Sequence, residues 1–469
     1  MSAHPLAPAW LQEPLDANAL EPGLWPATAA RTAGALEIGG VSAADLAARF
    51  GTPLYVLDEQ DVRARAARVR GAFEGAAARH GAGARVYYAG KALLTTDIVR
   101  WMLEAGLRID ACSGGELAIA LAAGAPPERL GLHGNNKSLG EIERAVGVGV
   151  GAIVLYSVLE VDRVADAARR HGRVQAVRLR ISSGVHASTH EYLATAREDQ
   201  KFGIALADAA RVVARIRAQD SLAFLGVHSH IGSQIFDAAG FEEAARRLLE
   251  LHAGLLADGP VPELNLGGGF GIAYTSVDRP APIEQIADSL ADAVAVECRR
   301  RGIPVPDLAV EPGRILVGPA GVTLYEIGTV KDVEVAHAAG RAARRYVSVD
   351  GGMSDNIRPA LYGADYSSRL AGRVSDAAPA LVRIAGKHCE SGDIVVRDDY
   401  LPGDVAPGDL VAVAATGAYC FSLASNYNAL GRPPLVAVRD GAARMLVRGE
   451  TIDDLLARDM GAGSSGGTA

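Results

Sequence analysis

From about residue 54 to residue 320 the chain alternates short β-branched apolar runs with longer alanine-rich stretches whose apolar positions recur at helical spacing. That alternation predicts repeated βα units around a parallel sheet. Eight runs read as buried strands, each followed by polar or glycine-rich residues: 86–88, 107–110, 130–133, 153–156, 176–181, 224–228, 263–266 and 308–311. Segments between them, such as 98–105 and 241–256, carry charges on one helical face only. Eight strands predict an α/β chain folded as a (β/α)8 TIM-type barrel, with an open doubly wound sheet as the competing topology. After residue 320 the pattern changes to strands separated by short Gly/Pro/Asp turns, as at 346–350, 393–396 and 410–414, which predicts a second, mostly β domain. The expected division is an N-terminal segment 1–53 packing with the β domain, a barrel over 54–320, the β domain over 321–460, and a disordered Gly/Ser-rich tail over 461–469.

Charge and composition narrow the partners. A net charge of −8 and a pI near 5.8 leave no basic block flanked by stacking aromatics, so a small molecule is favoured over nucleic acid. The first thirty residues lack a basic and then apolar leader, and no later stretch is apolar enough to span a bilayer, so a cytoplasmic location without membrane attachment is expected. Cys112, Cys298, Cys389 and Cys420 are scattered and form neither a disulfide framework nor a CxxC zinc pattern.

Only five of the 47 basic residues are lysines, and one of them, Lys91, directly follows the first predicted barrel strand. Arginine replaces lysine readily on a wet surface but cannot act as an amine nucleophile, so Lys91 alone among the five has a chemical reason to be lysine. Reactive groups of such barrels gather at the C-terminal ends of the strands. There stand Lys91, Asp110 with Ser113, His133 with Asn135, Arg180, His228 with His230, Gly267-Gly268-Gly269, and Glu311 with Arg314. The glycine run brings backbone N–H groups close to an anion, and Ser233 on the preceding loop adds a hydroxyl. An amine facing a phosphate site is what pyridoxal 5'-phosphate requires, and a carboxylate such as Glu311 at the pyridine nitrogen would let the ring accept electrons. His230 reads either as a group over the ring face or as a histidine hydrogen-bonded in the barrel wall.

These residues resemble the PLP-dependent decarboxylases of fold type III, and within them the diaminopimelate decarboxylases, over about residues 52–456. The landmarks are Tyr88-Ala89-Gly90-Lys91, Asp110-Ala111-Cys112-Ser113-Gly114-Gly115-Glu116-Leu117, His228-Ser229-His230-Ile231-Gly232-Ser233, the triple glycine and Glu311-Pro312-Gly313-Arg314. Further on come Arg358-Pro359-Ala360-Leu361-Tyr362, Cys389-Glu390-Ser391-Gly392-Asp393 and Gly417-Ala418-Tyr419. The resemblance implies conversion of meso-2,6-diaminopimelate to L-lysine and carbon dioxide, the last step of lysine biosynthesis. It further implies that Lys91 holds the cofactor covalently, His230 stacks on its ring and Glu311 meets its nitrogen. Ser233, Gly267 to Gly269, Pro312, Gly313, Arg314 and Tyr419 would lie along the cofactor. Arg314, Arg358, Tyr362, Glu390 and Tyr419 would line the substrate, and Cys389 would be the proton donor. A homodimer with the Cys389-Glu390 loop reaching into the partner's barrel is implied as well. Ser182-Ser183-Gly184 departs from the family's usual Asn-Pro-Gly, just before the run His186 to His190.

Three other readings share parts of this pattern. Ornithine and arginine decarboxylases resemble the barrel, but a substrate ending only in a cation offers Arg358 and Tyr362 no carboxylate. A metal-dependent barrel hydrolase would use His228 and His230, two apart on one strand face, although no metal is expected here. A non-enzymatic PLP carrier would leave Arg358, Cys389 and Glu390 without a purpose.

Overall fold

A computed structural model of the chain describes residues 4–185, 201–338 and 340–462. All eight expected barrel strands form: Ala84–Ala89, Arg108–Ala111, Leu130–Leu132, Ala152–Leu155, Gln175–Ser182, Leu222–His228, Glu263–Asn265 and Asp307–Val310. Each pairs in parallel with the next, and the last returns to the first through Leu308 opposite Ala84, so the sheet closes. Closure excludes the open doubly wound alternative. The helices that follow strands two, three and four begin at the caps Ser113, Ser138 and Ser157, whose hydroxyls accept N–H groups of the first turn. Ser113 is thus a helix cap, and its place at the barrel mouth follows from that role.

The barrel interior is filled partly by charge. Arg178 and Glu263, each 1% exposed, form an ion pair to which Arg85 adds a hydrogen bond of 2.7 Å, while Arg178 also donates to the Tyr87 hydroxyl at 2.7 Å. A buried pair of this kind is tolerated because its remaining donors and acceptors are satisfied.

The barrel unit comprises residues 63–272 and 279–316, and the other unit residues 1–62, 273–278 and 317–469. The barrel therefore begins later than the expected residue 54. Leu54–Asp58, at the start of the range expected for the barrel, is wholly buried, yet it pairs antiparallel with Gly321–His337 and parallel with Leu435–Arg439 in the β sheet of the second unit. Periodicity cannot tell which of two sheets claims an apolar run. Leu24, Trp25, Leu36 and Ile38 of the N-terminal segment share one core with Val56, Val322 and Val436. Among the described residues no helix is long and apolar enough to cross a membrane. The run His186 to His190 and most of the Gly/Ser-rich tail lie outside the described residues.

The helix Ala239–Leu255 turns Phe241, Leu248, Leu249 and also His252 into the barrel wall. Burial pushes the His252 imidazole down to about 4, and burial does the same to His228 against the pull of Glu311. The unfolded chain protonates both near pH ~6.5. Between there and about pH 4 it binds more protons than the fold, so stability falls as pH falls, by up to about 3 kcal/mol per histidine. Thermal midpoints compared from pH 7 to pH 4.5 are expected to shift less favourably as pH falls in the wild type than in His252→Leu. Parallel curves for the two proteins would refute the assignment to His252.

Candidate active site

Lys91 lies in the single turn Gly90–Ala92 directly after strand one, exposed at the barrel mouth. Tyr88, fully buried, donates its hydroxyl to the Leu93 carbonyl and so pins the turn from below. Glycine precedes the lysine for a steric reason: a Cβ at residue 90 would stand 2.9 Å from the Asp110 carbonyl oxygen. On the far side, Ala89 N–H bonds the Pro312 carbonyl at 3.0 Å, tying the lysine turn to the Glu311 loop.

Glu311 is the electrostatic centre of the mouth. Its carboxylate accepts from Asn265 Nδ2 at 2.8 Å and from His228 Nε2 at 3.1 Å, and His133 Nε2 stands 3.4 Å away. Burial alone would raise its pKa, but the His228 and His133 imidazoles hold it well below the usual carboxylate range. His133 is equally close to Asp110, at 3.4 Å. Burial opposes a charge on His133, yet Glu311 and Asp110 together keep it an imidazolium, well above the ordinary histidine range. Asp110 has its own pKa raised by burial, partly offset by His133. The other ring nitrogen, Nδ1, lies 3.1 Å from the Tyr156 hydroxyl, which also accepts from Arg180 at 3.0 Å. Burial would raise that phenol, and the His133, Arg180 and Lys137 cations bring it below its ordinary value.

Lys137 corrects the expectation that only Lys91 must be lysine. Its Nζ is buried and donates to the carbonyls of Gly134 at 2.7 Å and Val154 at 2.6 Å, and to Glu160 at 3.1 Å. Three donors radiating from one atom match this site, whereas a planar guanidinium does not. The contacts anchor the loop from His133 to Lys137 and thereby seat His133. Lys137→Arg is expected to cost about 1–3 kcal/mol through overpacking, and Lys137→Met about 3–5 kcal/mol by stranding Glu160. Urea titration distinguishes these from a surface lysine, for which both substitutions would be nearly neutral.

His230 does not join the Glu311 cluster. Its Nδ1 accepts the Gly268 N–H at 3.1 Å, which places the ring proton on Nε2. Burial, with Lys91 and Arg180 nearby, keeps the ring neutral. Gly267 and Gly269 have left-handed φ values of +68° and +119°, and a Cβ on Gly268 would lie 2.0 Å from the Glu311 carbonyl oxygen. Only glycines fit this run. Among the described residues the N–H groups of Gly269 and Gly313 donate to no protein acceptor, and Ser233 Oγ takes a hydrogen bond from Arg314 at 2.8 Å. An amine, an anion cradle of glycine N–H groups and a buried carboxylate thus occur on one barrel face, and they fit pyridoxal phosphate. Arg314 is tied to the Ser233 loop, on the cradle side of that set.

In the second unit, Arg358 is buried and lies over the rings of Tyr274, at 4.8 Å, and Tyr366, at 5.6 Å, while donating to the Tyr366 hydroxyl. Tyr362 closes the same short helix, Arg358–Tyr362. Cys389 and Glu390 are exposed at a loop tip, where Glu390 accepts from Gly392 N–H at 3.2 Å. Cys298 and Cys420 are buried, as a packing role requires. Tyr419 holds a left-handed φ of +63°, an uncommon conformation for a tyrosine that marks a side chain whose direction is imposed.

Residues 60–318 match the family model for the pyridoxal-dependent decarboxylase, pyridoxal binding domain. The chain is 52% identical to the diaminopimelate decarboxylase of Mycobacterium tuberculosis over 450 residues, covering 94% of this chain and 98% of that one. The chain belongs to the diaminopimelate decarboxylase family. It is 44% identical to the Bacillus subtilis member over 431 residues, 91% of this chain and 95% of that one. The crystal structure of the M. jannaschii diaminopimelate decarboxylase in complex with L-lysine superposes with a TM-score of 0.85 at 32% identity, covering 93% and 98% of the two chains. The enzymes of this family are PLP-dependent carboxy-lyases of lysine biosynthesis, and this chain is one of them.

Membership in the decarboxylase family bears on the metal reading. One ligand atom each of His133, His228 and Glu311 lies within 4.8 Å of the others, so the trio differs from the expected pair His228 and His230. The Glu311 oxygens are already engaged by Asn265 and His228. Asn265 itself was not among the sequence candidates. A signal existed: a lone amide in the apolar strand run, two residues before the glycines. Its carbonyl oxygen accepts the Gly267 N–H at 2.8 Å, so one amide orients both the carboxylate and the cradle.

Proposed function

We propose that the residues of both units share out the decarboxylation of meso-2,6-diaminopimelate to L-lysine as follows, in a cytoplasmic homodimer. Pyridoxal phosphate, when bound, supplies the sink for the electron pair left as carbon dioxide departs. Lys91 would hold the cofactor covalently through its amine. Glu311, held ionised, would meet the pyridine nitrogen and favour a positive charge there. Neutral His230 would stack on the ring, and Ser233, Gly267 to Gly269, Gly313 and Tyr419 would hold the phosphate. Arg314, Arg358 and Tyr362 receive the distal carboxylate, Glu390 the distal ammonium, and Cys389 returns a proton to the carbon that lost its carboxylate.

The observation that carries this reading is Glu311, a largely buried carboxylate held ionised by two imidazoles beside a glycine cradle. Substrate choice is tested by carbon dioxide release from meso-diaminopimelate, ornithine and arginine side by side, where only the first is expected to turn over well. Comparable rates with ornithine would remove Arg358 and Tyr362 from their role.

A shared site has a sharper test. The Cys389 loop of one subunit is assigned to the barrel of its partner, so Lys91→Ala and Cys389→Ala each spoil a different half of each site. Mixing the inactive Lys91→Ala with the slow Cys389→Ala and allowing subunit exchange should restore about one quarter of wild-type activity through hybrid dimers. No recovery, with exchange confirmed by mass, would refute the shared site.

A further inference from the structure

The loop at residues 386–393 has a rigid base and an exposed tip. At the base the buried Asp393 carboxylate accepts the N–H groups of Met353 at 2.6 Å and His388 at 2.7 Å. The packing there is so close that a Cβ on Gly386 would stand 2.2 Å, and one on Gly352 2.6 Å, from Asp393 oxygens. At the tip, Cys389, Glu390, Ser391 and Gly392 are all exposed. His388 sits where the two regimes meet. Its Nε2 lies 2.8 Å from Ser354 Oγ and 3.3 Å from Ser354 N, and its Nδ1 lies 3.1 Å from the side-chain oxygen of Asn428. The ring also stacks on Tyr427, with centroids 5.2 Å apart at 23°.

The order Ser354, His388, Asn428 matches that of an acyl-transfer triad. Ser354 is only 5% exposed, however, and its own N–H points at the same Nε2, so this serine meets no substrate. With Nε2 accepting, the proton resides on Nδ1 and is donated to Asn428. Asn428 adopts a left-handed φ of +52°, which asparagine tolerates better than most residues. That backbone aims its side-chain oxygen at two donors, His388 Nδ1 and, at 3.3 Å, the backbone N–H of Cys389.

We propose that His388 and Asn428 form a clamp that positions the Cys389 thiol, with His388 bound to the immobile base and Asn428 gripping the residue that bears the proton donor. The inference rests on the assignment of Cys389 as that donor. His388 and Asn428 are positioning residues and touch no substrate themselves.

Asn428→Gly keeps the left-handed backbone and removes the grip. It should lower kcat about tenfold or more, as misplacement of a reacting group by a fraction of an ångström does, and raise amide hydrogen exchange at residues 387–391. Asn428→Asp retains the acceptor and should restore most of the rate. Because the clamp acts through Cys389, Asn428→Gly combined with Cys389→Ala should be no slower than Cys389→Ala alone. His388→Ala should follow the same pattern, and Asn428→Gly stands in for it if that protein does not fold. A wild-type rate in Asn428→Gly beside a slow Cys389→Ala overturns the clamp, as does a double variant whose losses multiply. A wild-type rate in Cys389→Ala instead overturns the donor assignment.

Discussion

Lys91→Ala is expected to yield a folded protein that neither retains pyridoxal phosphate covalently nor decarboxylates diaminopimelate, with kcat/KM lowered by at least about 10⁴-fold. The size follows from chemistry that no neighbour can supply. Arg178 and Arg180 on strand five are guanidinium ions, and Lys137 is locked behind Tyr156 by two carbonyls and Glu160. The fold should be spared, because the Lys91 side chain is exposed and such substitutions are usually within about 0.5 kcal/mol. Two measurements check this: borohydride treatment followed by peptide mass mapping, and carbon dioxide release. Cofactor still fixed to the chain, or turnover above about one per cent of wild type, would end the assignment.

Glu311→Gln should lower kcat by about 10²- to 10³-fold, the usual loss when a preorganised charge facing the reacting system is removed. The amide has nearly the same shape, so the cradle and Lys91 turn stay in place. What changes is charge. His133 loses one of the two carboxylates that keep it protonated and depends on Asp110 alone, so its pKa should move down toward the ordinary histidine range. Nitrogen-15 chemical shifts of the histidine rings across a pH series would show that movement directly. A variant with wild-type kcat, or with a His133 titration unmoved, would show that Glu311 is not the controlling charge. Some stability is lost as well, since breaking one side of a buried ion pair costs about 3–5 kcal/mol, and cooperative urea unfolding should confirm that the variant still folds.

Much of this site was legible without coordinates. Lys91, His133, His228, His230 and Glu311 each end a strand-like run, and the barrel rule alone sends all of them to one mouth. Their individual duties were not legible. His228 and His230 look equivalent in the sequence, two apart, yet the strand ends at His228, which donates to Glu311, while His230 lies beyond it and accepts from Gly268. Lys137 reads as an ordinary loop lysine, and Asn265 as a strand residue, because their burial and partner choice depend on neighbouring βα units outside the local pattern. Arg358 is similar: its place against the edge-to-face pair Tyr274 and Tyr366 brings together residues from separate stretches of sequence.

The boundary of the barrel shows the same limit. Leu54–Asp58 has the composition of a barrel strand and lies just ahead of one, yet it is hydrogen-bonded into the other sheet. Local sequence thus determined which segments become strands and helices, that eight of them form βα units, and which end of each strand carries chemistry, because side-chain period and turn composition are properties of short windows. Tertiary structure decided which sheet each apolar run joins, which imidazole carries charge, and which polar side chains hold the reactive ones in place. Those outcomes depend on desolvation and on distances of about 3 Å between residues on different βα units, and no short window contains them.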